Sequence, residues 1–351
     1  METIVKTITH TEEDKKIYEQ AGKILRDGGL VAFPTETVYG LGADALDEKA
    51  SAKIYAAKGR PSDNPLIVHI ADVNALYDLA SEVPEKALVL AEKFWPGPLT
   101  MILKKQDKVP DSITGGLGTV AIRMPSHPVA AELIRCSGVY IAAPSANTSG
   151  KPSPTRAEHV INDLSGRIDM IIQDDTVDIG VESTIIDLSE EVPTILRPGY
   201  ITQAMFEEAI GKTIIDPAIM GSLKEGVIPK APGMKYKHYA PNADVTIVEG
   251  PHEKVVQYIN RQVSEKEAEG HRCAVMATDE TKDKYICNDI VSAGHKDDEL
   301  SVARNLYAIL RDFDKQKVEY VYSESFETKN VGQAVMNRLI KAAGHKIVKL
   351  D

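Results

Sequence analysis

Hydrophobic periodicity in the chain fades between Gly211 and Pro241, where glycine and proline residues accumulate. After this segment, strand-like apolar runs alternate regularly with helical runs, a pattern typical of a small parallel, Rossmann-like α/β domain. Before it, many strand-like runs are separated by helices at irregular intervals, which predicts a twisted mixed α/β sheet. We therefore predict an α/β protein with a first domain over 1–210, a long linker over 211–241 and a smaller second domain over 242–351.

The distribution of charge limits the partners that the chain can have. The net charge is -11, and residues 1–210 contain 20 basic and 31 acidic side chains, whereas residues 211–240 contain 5 and 2. An acidic first domain without a broad basic surface does not favour strong direct nucleic-acid binding. We expect any anionic ligand to be held by a few individually placed cations. The second domain has no GxGxxG fingerprint and no P-loop, so its sequence gives no positive sign of nucleotide binding.

Membrane segments and disulfide bonds are not expected. The sequence contains no run of about 18 apolar residues, and its first residues lack the apolar core of a secretory signal. Cys136, Cys273 and Cys287 form no CxxC pair, so we expect neither a disulfide framework nor a zinc site. These features together predict a reducing, cytoplasmic location.

The stretch "AAKGRPSDNPLIVHI" places Lys58 and Arg60 between a predicted helix and a predicted strand, with Asn64 and His69 after them. The arginine fork can bind phosphate or carboxylate oxygens, whereas the lysine acts as a point charge. The same pair also fits a solvated helix end, where cations are favoured. The sequence leaves both interpretations open.

Arg123 interrupts the apolar strand "VAIRMP", where an unpaired charge would be costly. Its guanidinium is therefore expected to meet either a bound anion or a carboxylate in a buried ion pair. Arg197, in "TILRPG", repeats this situation at the end of another strand. Two such arginines in a net-acidic domain favour an anion site.

Three polar loops also follow or precede apolar strands. The loop "APSANTSGKPSPT" offers hydroxyls and backbone amides that can bind phosphates, although serine and proline are also ordinary loop residues. In "GVESTIIDL", Glu182, Ser183 and Thr184 precede a strand and would equally suit a capped turn. In "AFPTETVYGLGADA", a buried strand ends in hydroxyls, a carboxylate and glycines. That ending suits either a turn or the rim of a binding site.

No catalytic nucleophile is evident in the sequence. Ser145, His69 and Glu36 could form a serine–histidine–acid set, but the GxSxG motif is missing. The nine histidines show no metal-ligand spacing such as HExxH. Arginines, hydroxyls and amides without a nucleophile or a metal cage indicate catalysis by positioning and charge stabilisation. Phosphoryl or nucleotidyl transfer is chemistry of this kind.

Seven motifs taken in order resemble the threonylcarbamoyl-AMP synthase family. They are "PTETVYGLGADA", "KGRPSDNPLIVHI", "WPGPLT", "VAIRMPSHP", "PSANTSGKPSPT", "STIIDL" and "LRPG". This resemblance covers about residues 13–210, the YrdC-like catalytic domain of the family. The segment "APGMKYKHYAP" and the small α/β domain after it resemble the long, two-domain form.

The resemblance implies that L-threonine, bicarbonate and ATP are converted to threonylcarbamoyl-AMP and pyrophosphate. The product would pass to the tRNA threonylcarbamoyl transferase machinery, which makes N6-threonylcarbamoyladenosine beside the anticodon. Magnesium is expected with ATP, held mainly by phosphates and water, because no protein cage for a metal is evident.

The resemblance also assigns roles to individual residues. The residues expected around L-threonine are Thr37, His69, Arg123, Ala143 and Ser183. The residues expected around ATP are Arg60, Asn64, Thr119, Ser145, Ser153, Arg197 and Tyr236. Lys58 is expected near the triphosphate, and Lys58 and Arg60 are the expected catalytic pair. Apart from the resemblance, residues 211–240 are net positive beside an acidic domain, and "KAPGMKYKHYAP" is rich in lysine and tyrosine. The linker is therefore expected to close over the nucleotide as a lid, with Tyr236 touching it. The alternative is a basic strap that merely packs on the acidic surface.

Two other functions share the same domain. An RNA-binding YrdC-like module without turnover is disfavoured by the acidic charge of residues 1–210. A carbamoyltransferase of the hydrogenase-maturation type normally carries zinc-finger and acylphosphatase-like parts, which this sequence does not contain.

Overall fold

The computed structural model describes residues 2–174, 177–219, 231 and 239–351. The chain divides into two compact units. The first comprises Met1–Ser149 and Ser153–Lys235, and the second comprises Gly150–Pro152 and Tyr236–Asp351. Most of the predicted linker, including Tyr236 and its expected role as a lid, lies outside the described residues. Among the helices that are described, none is long and apolar enough to cross a membrane.

In the described part of the first unit, eleven strands form one mixed sheet. The strands are β1 Ile4–Thr7, β2 Val31–Phe33, β3 Gly40–Asp44, β4 Ile67–His69, β5 Leu99–Lys104, β6 Thr119–Arg123, β7 Ile141–Ala142, β8 Met170–Gln173, β9 Thr184–Asp187, β10 Thr194–Arg197 and β11 Ile214–Ile215. Their order in the sheet is β1-β8-β2-β3-β7-β4-β6-β5-β9-β10-β11. The sheet contains both parallel pairs, such as β4 with β6, and antiparallel pairs, such as β5 with β6. The predicted mixed α/β sheet is confirmed.

Both faces of this sheet are covered, which explains why its strands read as continuous apolar runs. The helices are α1 Asp14–Arg26, α2 Glu48–Lys58, α3 Ala75–Leu79, α4 Glu85–Phe94, α5 Asp111–Thr114, α6 Pro128–Ser137, α7 Ala157–Leu164 and α8 Gln203–Ile210. In β2, Val31 and Phe33 belong to one apolar core together with Leu25 of α1 and Leu133 of α6. Ala32, between them, belongs to the core on the opposite face. Alternate side chains of one strand therefore fill two different cores.

The second unit follows the alternation that its sequence predicts, with one unpredicted strand, β14, between β13 and α10. Its elements are β12 Asp244–Glu249, α9 His252–Ala268, β13 Cys273–Ala277, β14 Asp289–Ser292, α10 Glu299–Lys315, β15 Tyr320–Glu324, α11 Asn330–Ala342 and β16 Ile347–Lys349. Over residues 239–351 the five strands pair in parallel in the order β14-β13-β15-β12-β16. Val255, Ile259 and Val263 of α9 pack in one core with Val275 of β13. The predicted parallel α/β domain is confirmed.

Candidate active site

The carboxyl ends of β4 and β6 bring two of the predicted residues together. The strands are parallel neighbours, and His69 lies opposite Arg123 in their register. On the other side of β6, Thr100 of β5 also lies opposite Arg123. Ser183 immediately precedes β9, which is parallel to β5. Four polar side chains from four segments therefore meet at one place on the sheet, which we call the Arg123 end.

A buried ion pair lies at the Arg123 end. The Nη2 atom of Arg123 is 2.7 Å from Oε1 of Glu36, and the two side chains are 5% and 4% exposed. The two atoms are close but are not aligned as a hydrogen bond. Among the described residues, Arg123 Nε and both Glu36 oxygens have no hydrogen-bond partner. Of the two partners that the sequence allowed for Arg123, the structure shows the carboxylate. The buried donor and acceptor atoms of the pair that lack hydrogen bonds could bind a ligand.

His69 is a neutral hydrogen-bond acceptor at this end. Burial, and then the neighbouring charge of Arg123, lowers the pKa of His69 to about 3. Its Nδ1 atom lies 3.1 Å from the carbonyl oxygen of Ile67. Because a carbonyl cannot donate, Nδ1 carries the hydrogen and Nε2 is left as an acceptor. Nowhere in the described chain does a hydrogen bond join His69 to Glu36 or Ser145, so the serine–histidine–acid set is not assembled.

Ser183 connects the Arg123 end to Arg197. The hydroxyl oxygens of Ser183 and Thr100 are 2.8 Å apart, and Arg197 donates from Nη2 to the Ser183 hydroxyl over 3.1 Å. Arg197 Nε also donates to the Ser183 carbonyl over 3.0 Å. A register shift between Ile195 and Arg197 in the pairing of β9 with β10 directs the arginine to this position. Arg197 is buried, as its place in an apolar strand predicts.

An apolar strip runs along the sheet from the Arg123 end. Thr119, Ala121 and Arg123 alternate along β6 and so share one face. The strip consists of Ile67, Ile102, Ala121, Ile185, Leu196 and Ala231. Ala231 belongs to the predicted linker, and it is fully buried in this strip. Ala231 therefore contacts the same face of the sheet that carries the polar residues.

A second polar group, which we call the Asn64 end, lies at the other end of the strip. Thr119 begins β6, roughly 13 Å from Arg123 at about 3.3 Å per residue. Asn64, three residues before β4, is only 1% exposed. Within the described structure, neither atom of its side-chain amide has a hydrogen-bond partner. Arg60 lies beside it and donates from Nη2 to the carbonyl oxygens of Asn64 and Pro65 over 3.3 and 3.2 Å.

Lys58 is a buried anchor for the serine-rich loop. It ends α2, and Gly59 follows in the left-handed region with φ of 62°. Lys58 is 3% exposed, and its ammonium donates to the carbonyl oxygen of Ser145 and, over 2.6 Å, to that of Asn147. The interpretation of this residue as a solvated helix end is wrong, because tertiary contacts enclose it. Lys58 holds the backbone of residues 145–147 near the Asn64 end.

Ala143 and Ser145 follow β7 and lie next to the apolar strip. The Ala143 amide donates to the carbonyl oxygen of Ile67 over 2.9 Å, and Ser145 forms an isolated bridge with Gly40. A methyl group at Gly40 would lie 3.4 Å from the Ala143 side chain. The loop after β7 is therefore closely packed on the "PTETVYG" segment.

The other predicted residues are buried, apart from one that is not described. The Thr37 hydroxyl is 2.9 Å from that of Thr35, and Ser153 donates to Oε1 of Glu182 over 2.5 Å. Tyr236 lies outside the described residues, so its predicted contact with the nucleotide stays a prediction.

Four residues at this face were not among the predicted site residues. Glu36 and Glu182 are acids within motifs that the sequence identifies, but their partners, Arg123 and Ser153, are distant in the chain. Thr100 is the one polar residue of the apolar run "LTMIL". A polar residue in such a run could have identified it as a site residue. Ala231 has no local signal at all.

Comparisons with known proteins agree with this architecture. A family model described as Telomere recombination (Sua5_yciO_yrdC) matches residues 23–199. A second model, described as Threonylcarbamoyl-AMP synthase, C-terminal domain, matches residues 201–344. The chain is 49% identical to the threonylcarbamoyl-AMP synthase of Pyrococcus abyssi over 348 residues, which cover 99% of this chain and 100% of the relative. It is 50% identical to that of Bacillus subtilis over 331 residues, 94% of each chain.

A solved structure resembles both units of the chain together. The crystal structure of P. abyssi Sua5 complexed with L-threonine matches with a TM-score of 0.93 and 47% sequence identity, and the match covers 100% of both chains. The resemblance seen in the seven motifs is thereby confirmed. The chain belongs to the threonylcarbamoyl-AMP synthase family.

Proposed function

We propose that this threonylcarbamoyl-AMP synthase, a nucleotidyltransferase, joins L-threonine, bicarbonate and ATP along the apolar strip and releases pyrophosphate. The observation that supports this most is the pair of polar groups at opposite ends of one sheet face. The Arg123 end offers a buried cation, a carboxylate and a neutral imidazole. The Asn64 end offers an amide whose two polar atoms have no partner among the described residues. Two chemically different substrates can therefore lie side by side on one surface.

We assign the Arg123 end to L-threonine. The Arg123 guanidinium suits the substrate carboxylate, because arginine and carboxylate form charge-assisted hydrogen bonds. Glu36 and the Nε2 atom of His69 are acceptors for the ammonium or hydroxyl hydrogens. Thr37, Ala143 and Ser183 complete this end as its walls, in agreement with the roles that the family resemblance implies.

We assign the Asn64 end to ATP. The Asn64 amide can donate to and accept from the nucleotide, which would supply the partners that it lacks in the described structure. Arg60, Lys58 and Thr119 lie on this side, and Lys58 holds the Ser145 backbone here. We keep Ser153 and Arg197 as ATP contacts on the strength of the family resemblance; Ser153 donates to Glu182 and Arg197 to Ser183.

The chemistry follows from this arrangement. The uncharged amine of threonine adds to the carbon of bicarbonate, and water leaves, giving a carbamate. A carbamate oxygen then attacks the α-phosphorus of ATP, the bond to the β-phosphate oxygen breaks, and pyrophosphate departs. The cations near the phosphates would lower the barrier by stabilising charge, and exclusion of water would protect the carbamate.

We propose that Mg²⁺ accompanies ATP, bound mainly by its phosphates and by water. Among the described residues no group of three or more His, Cys, Asp or Glu side chains could hold a metal ion. We therefore assign no protein ligand to the ion and no step to it.

We also infer that a separate tRNA-modifying transferase consumes the product, since an acyl adenylate is an activated donor. A cytoplasmic location is supported by the three free cysteines, Cys136, Cys273 and Cys287.

The decisive experiment measures pyrophosphate release with each substrate omitted in turn, together with mass spectrometry of the product. Release that needs threonine, bicarbonate and ATP, with threonylcarbamoyl-AMP formed, is the expected result. Release that continues without threonine or bicarbonate contradicts the proposal. Tight, steeply salt-dependent RNA binding without any turnover would instead identify a binding module.

A further inference from the structure

We propose that the second unit carries a binding site for a small zwitterion of the amino-acid class, at the carboxyl edge of its parallel sheet. The proposal concerns residues 239–351 alone and does not depend on the reaction assigned to the first unit. It rests on sheet topology, on a cavity and on the arrangement of charge within that cavity.

The topology of the second unit opens a crevice between β13 and β15. These strands are parallel neighbours. After β13 the chain passes to β14 on one side of the pair, and after β15 it passes through α11 to β16 on the other side. In open parallel sheets, ligands bind where the connections of neighbouring strands diverge in this way.

A cavity of about 510 Å³ lies at this crevice. The loops after β12, β13 and β15 form its rim, with residues such as Gly250, Thr278 and Ser325. Val255, Val302 and Phe326 contribute apolar wall. The volume falls in the range of small-molecule sites, and a wall of this kind suits an aliphatic side chain.

The interior of the cavity is negative. Glu324 is 7% exposed and accepts hydrogen bonds from the hydroxyls of Tyr285, over 2.5 Å, and Thr281, over 2.9 Å. His252 Nδ1 lies 3.9 Å away, and within residues 239–351 no lysine or arginine pairs with this carboxylate. Burial and the Glu324 charge raise the pKa of Tyr285, so the phenol keeps its hydrogen.

Glu299 adds a second, half-buried carboxylate, and its Oε2 accepts from the Gly332 amide over 3.0 Å. Buried carboxylates that have hydroxyl and amide donors but no cationic side chain are most stabilised by a positive group. The ammonium of a bound zwitterion would supply that positive group.

The rim of the cavity carries charges of both signs. Lys284 and Lys296 line it and are exposed, and Lys284 Nζ lies 3.0 Å from Nε2 of His252. The exposed Glu280 and Glu327 also line the mouth, so the lining as a whole is net acidic. A simple anion is therefore disfavoured. A zwitterion would place its ammonium towards Glu324 and its carboxylate towards the rim lysines.

Methyl NMR of the full-length protein with labelled valines tests this site directly, because Val302 and Val335 line the cavity. The probes are L-leucine, 3-methylbutylamine, 4-methylpentanoate and inorganic phosphate. We expect saturable shifts of these two valines with leucine, weaker ones with the amine, and none with the carboxylate or phosphate. The proposal is overturned if the methyl signals of both valines do not shift with leucine or the amine. It is also overturned if phosphate binds as tightly as leucine.

Two variants test the assigned contacts. Glu324→Gln should weaken leucine and amine binding about tenfold or more, because a charged hydrogen bond is lost. Lys296→Glu, at an exposed position, should weaken leucine but not the amine, and it tests the site even where Glu324→Gln disturbs folding. Glu265→Gln, at an exposed site away from the cavity, is the control. Unchanged leucine binding in both test variants refutes the assignment.

Discussion

Replacing the Arg123–Glu36 charges singly and together separates their contribution to folding from their contribution to threonine binding. The variants are Glu36→Gln, Arg123→Met and the double replacement. Each side chain is at most 5% exposed, so either single change leaves a buried charge without its partner. We expect each to lower the free energy of unfolding by about 3–5 kcal/mol. The double variant has two neutral side chains of similar volume and should recover most of that loss.

Threonine binding should follow a different pattern from stability. Arg123→Met removes the cation assigned to the substrate carboxylate, a loss of about 2–5 kcal/mol, which corresponds to a rise in threonine KM of roughly 30-fold to several thousand-fold. The double variant should keep that defect although it is stable. Glu36→Gln leaves a buried arginine that the threonine carboxylate can pair, so threonine should raise its Tm by more than it raises the Tm of the unaltered protein.

Equilibrium unfolding in urea and pyrophosphate release as a function of threonine concentration measure the two quantities. Arg135→Met is the matched control, because Arg135 is 58% exposed and pairs with Glu132 on the surface over 3.2 Å. Its effect on stability should stay below about 1 kcal/mol. A stable double variant that uses threonine with an unchanged KM would show that Arg123 serves the fold alone.

Three further predictions concern single features of the site. Asn64→Leu should raise the ATP KM about tenfold to a hundredfold without lowering the free energy of unfolding, because the buried amide has no partner in the described residues; ATP titration and urea unfolding test both. Serine should be a better wrong substrate than valine, because a lost methyl costs roughly 1–3 kcal/mol while a missing hydroxyl leaves polar groups unpaired; faster turnover of valine contradicts this. The pKa of His69 is lowered to about 3, so its contribution to stability is complete above the unfolded pKa of about 6.5 and is lost as pH falls towards 3. In His69→Gln the free energy of unfolding should therefore fall less steeply with decreasing pH, by up to about 1.4 kcal/mol per pH unit. Unfolding measured between pH 6 and pH 4 tests this.

Local patterns in the sequence predicted much of the fold and part of the site. The parallel sheet of the second unit follows from strand and helix periodicities, which each segment carries by itself. Arg123 was identified because a charge inside an apolar strand is visible without any tertiary information. Burial of Arg197 follows for the same reason, and the structure has both side chains buried.

The partners of these charges could not be predicted, because they depend on the order of strands in the sheet. Glu36 precedes β3 and Arg123 ends β6. Their meeting depends on the sheet order β3-β7-β4-β6, and no local pattern determines that order. Lys58 looked equally like a solvated helix end, since only tertiary contacts with residues 145–147 reveal its burial. Tyr236 and the lid stay predictions, because they lie outside the described residues.

The cations of this site are already engaged before a substrate arrives, which bears on how an acidic domain can bind anions. Lys58 donates to two backbone carbonyls, Arg197 to Ser183 and Arg123 lies against Glu36. These three side chains therefore present little unbalanced positive charge to solvent. A substrate gains affinity by adding hydrogen bonds to donors that the protein has already oriented, so no reorganisation is needed at the moment of reaction. A small anion that reaches only one end of the apolar strip gains few of these bonds, and we expect inorganic phosphate alone to bind weakly.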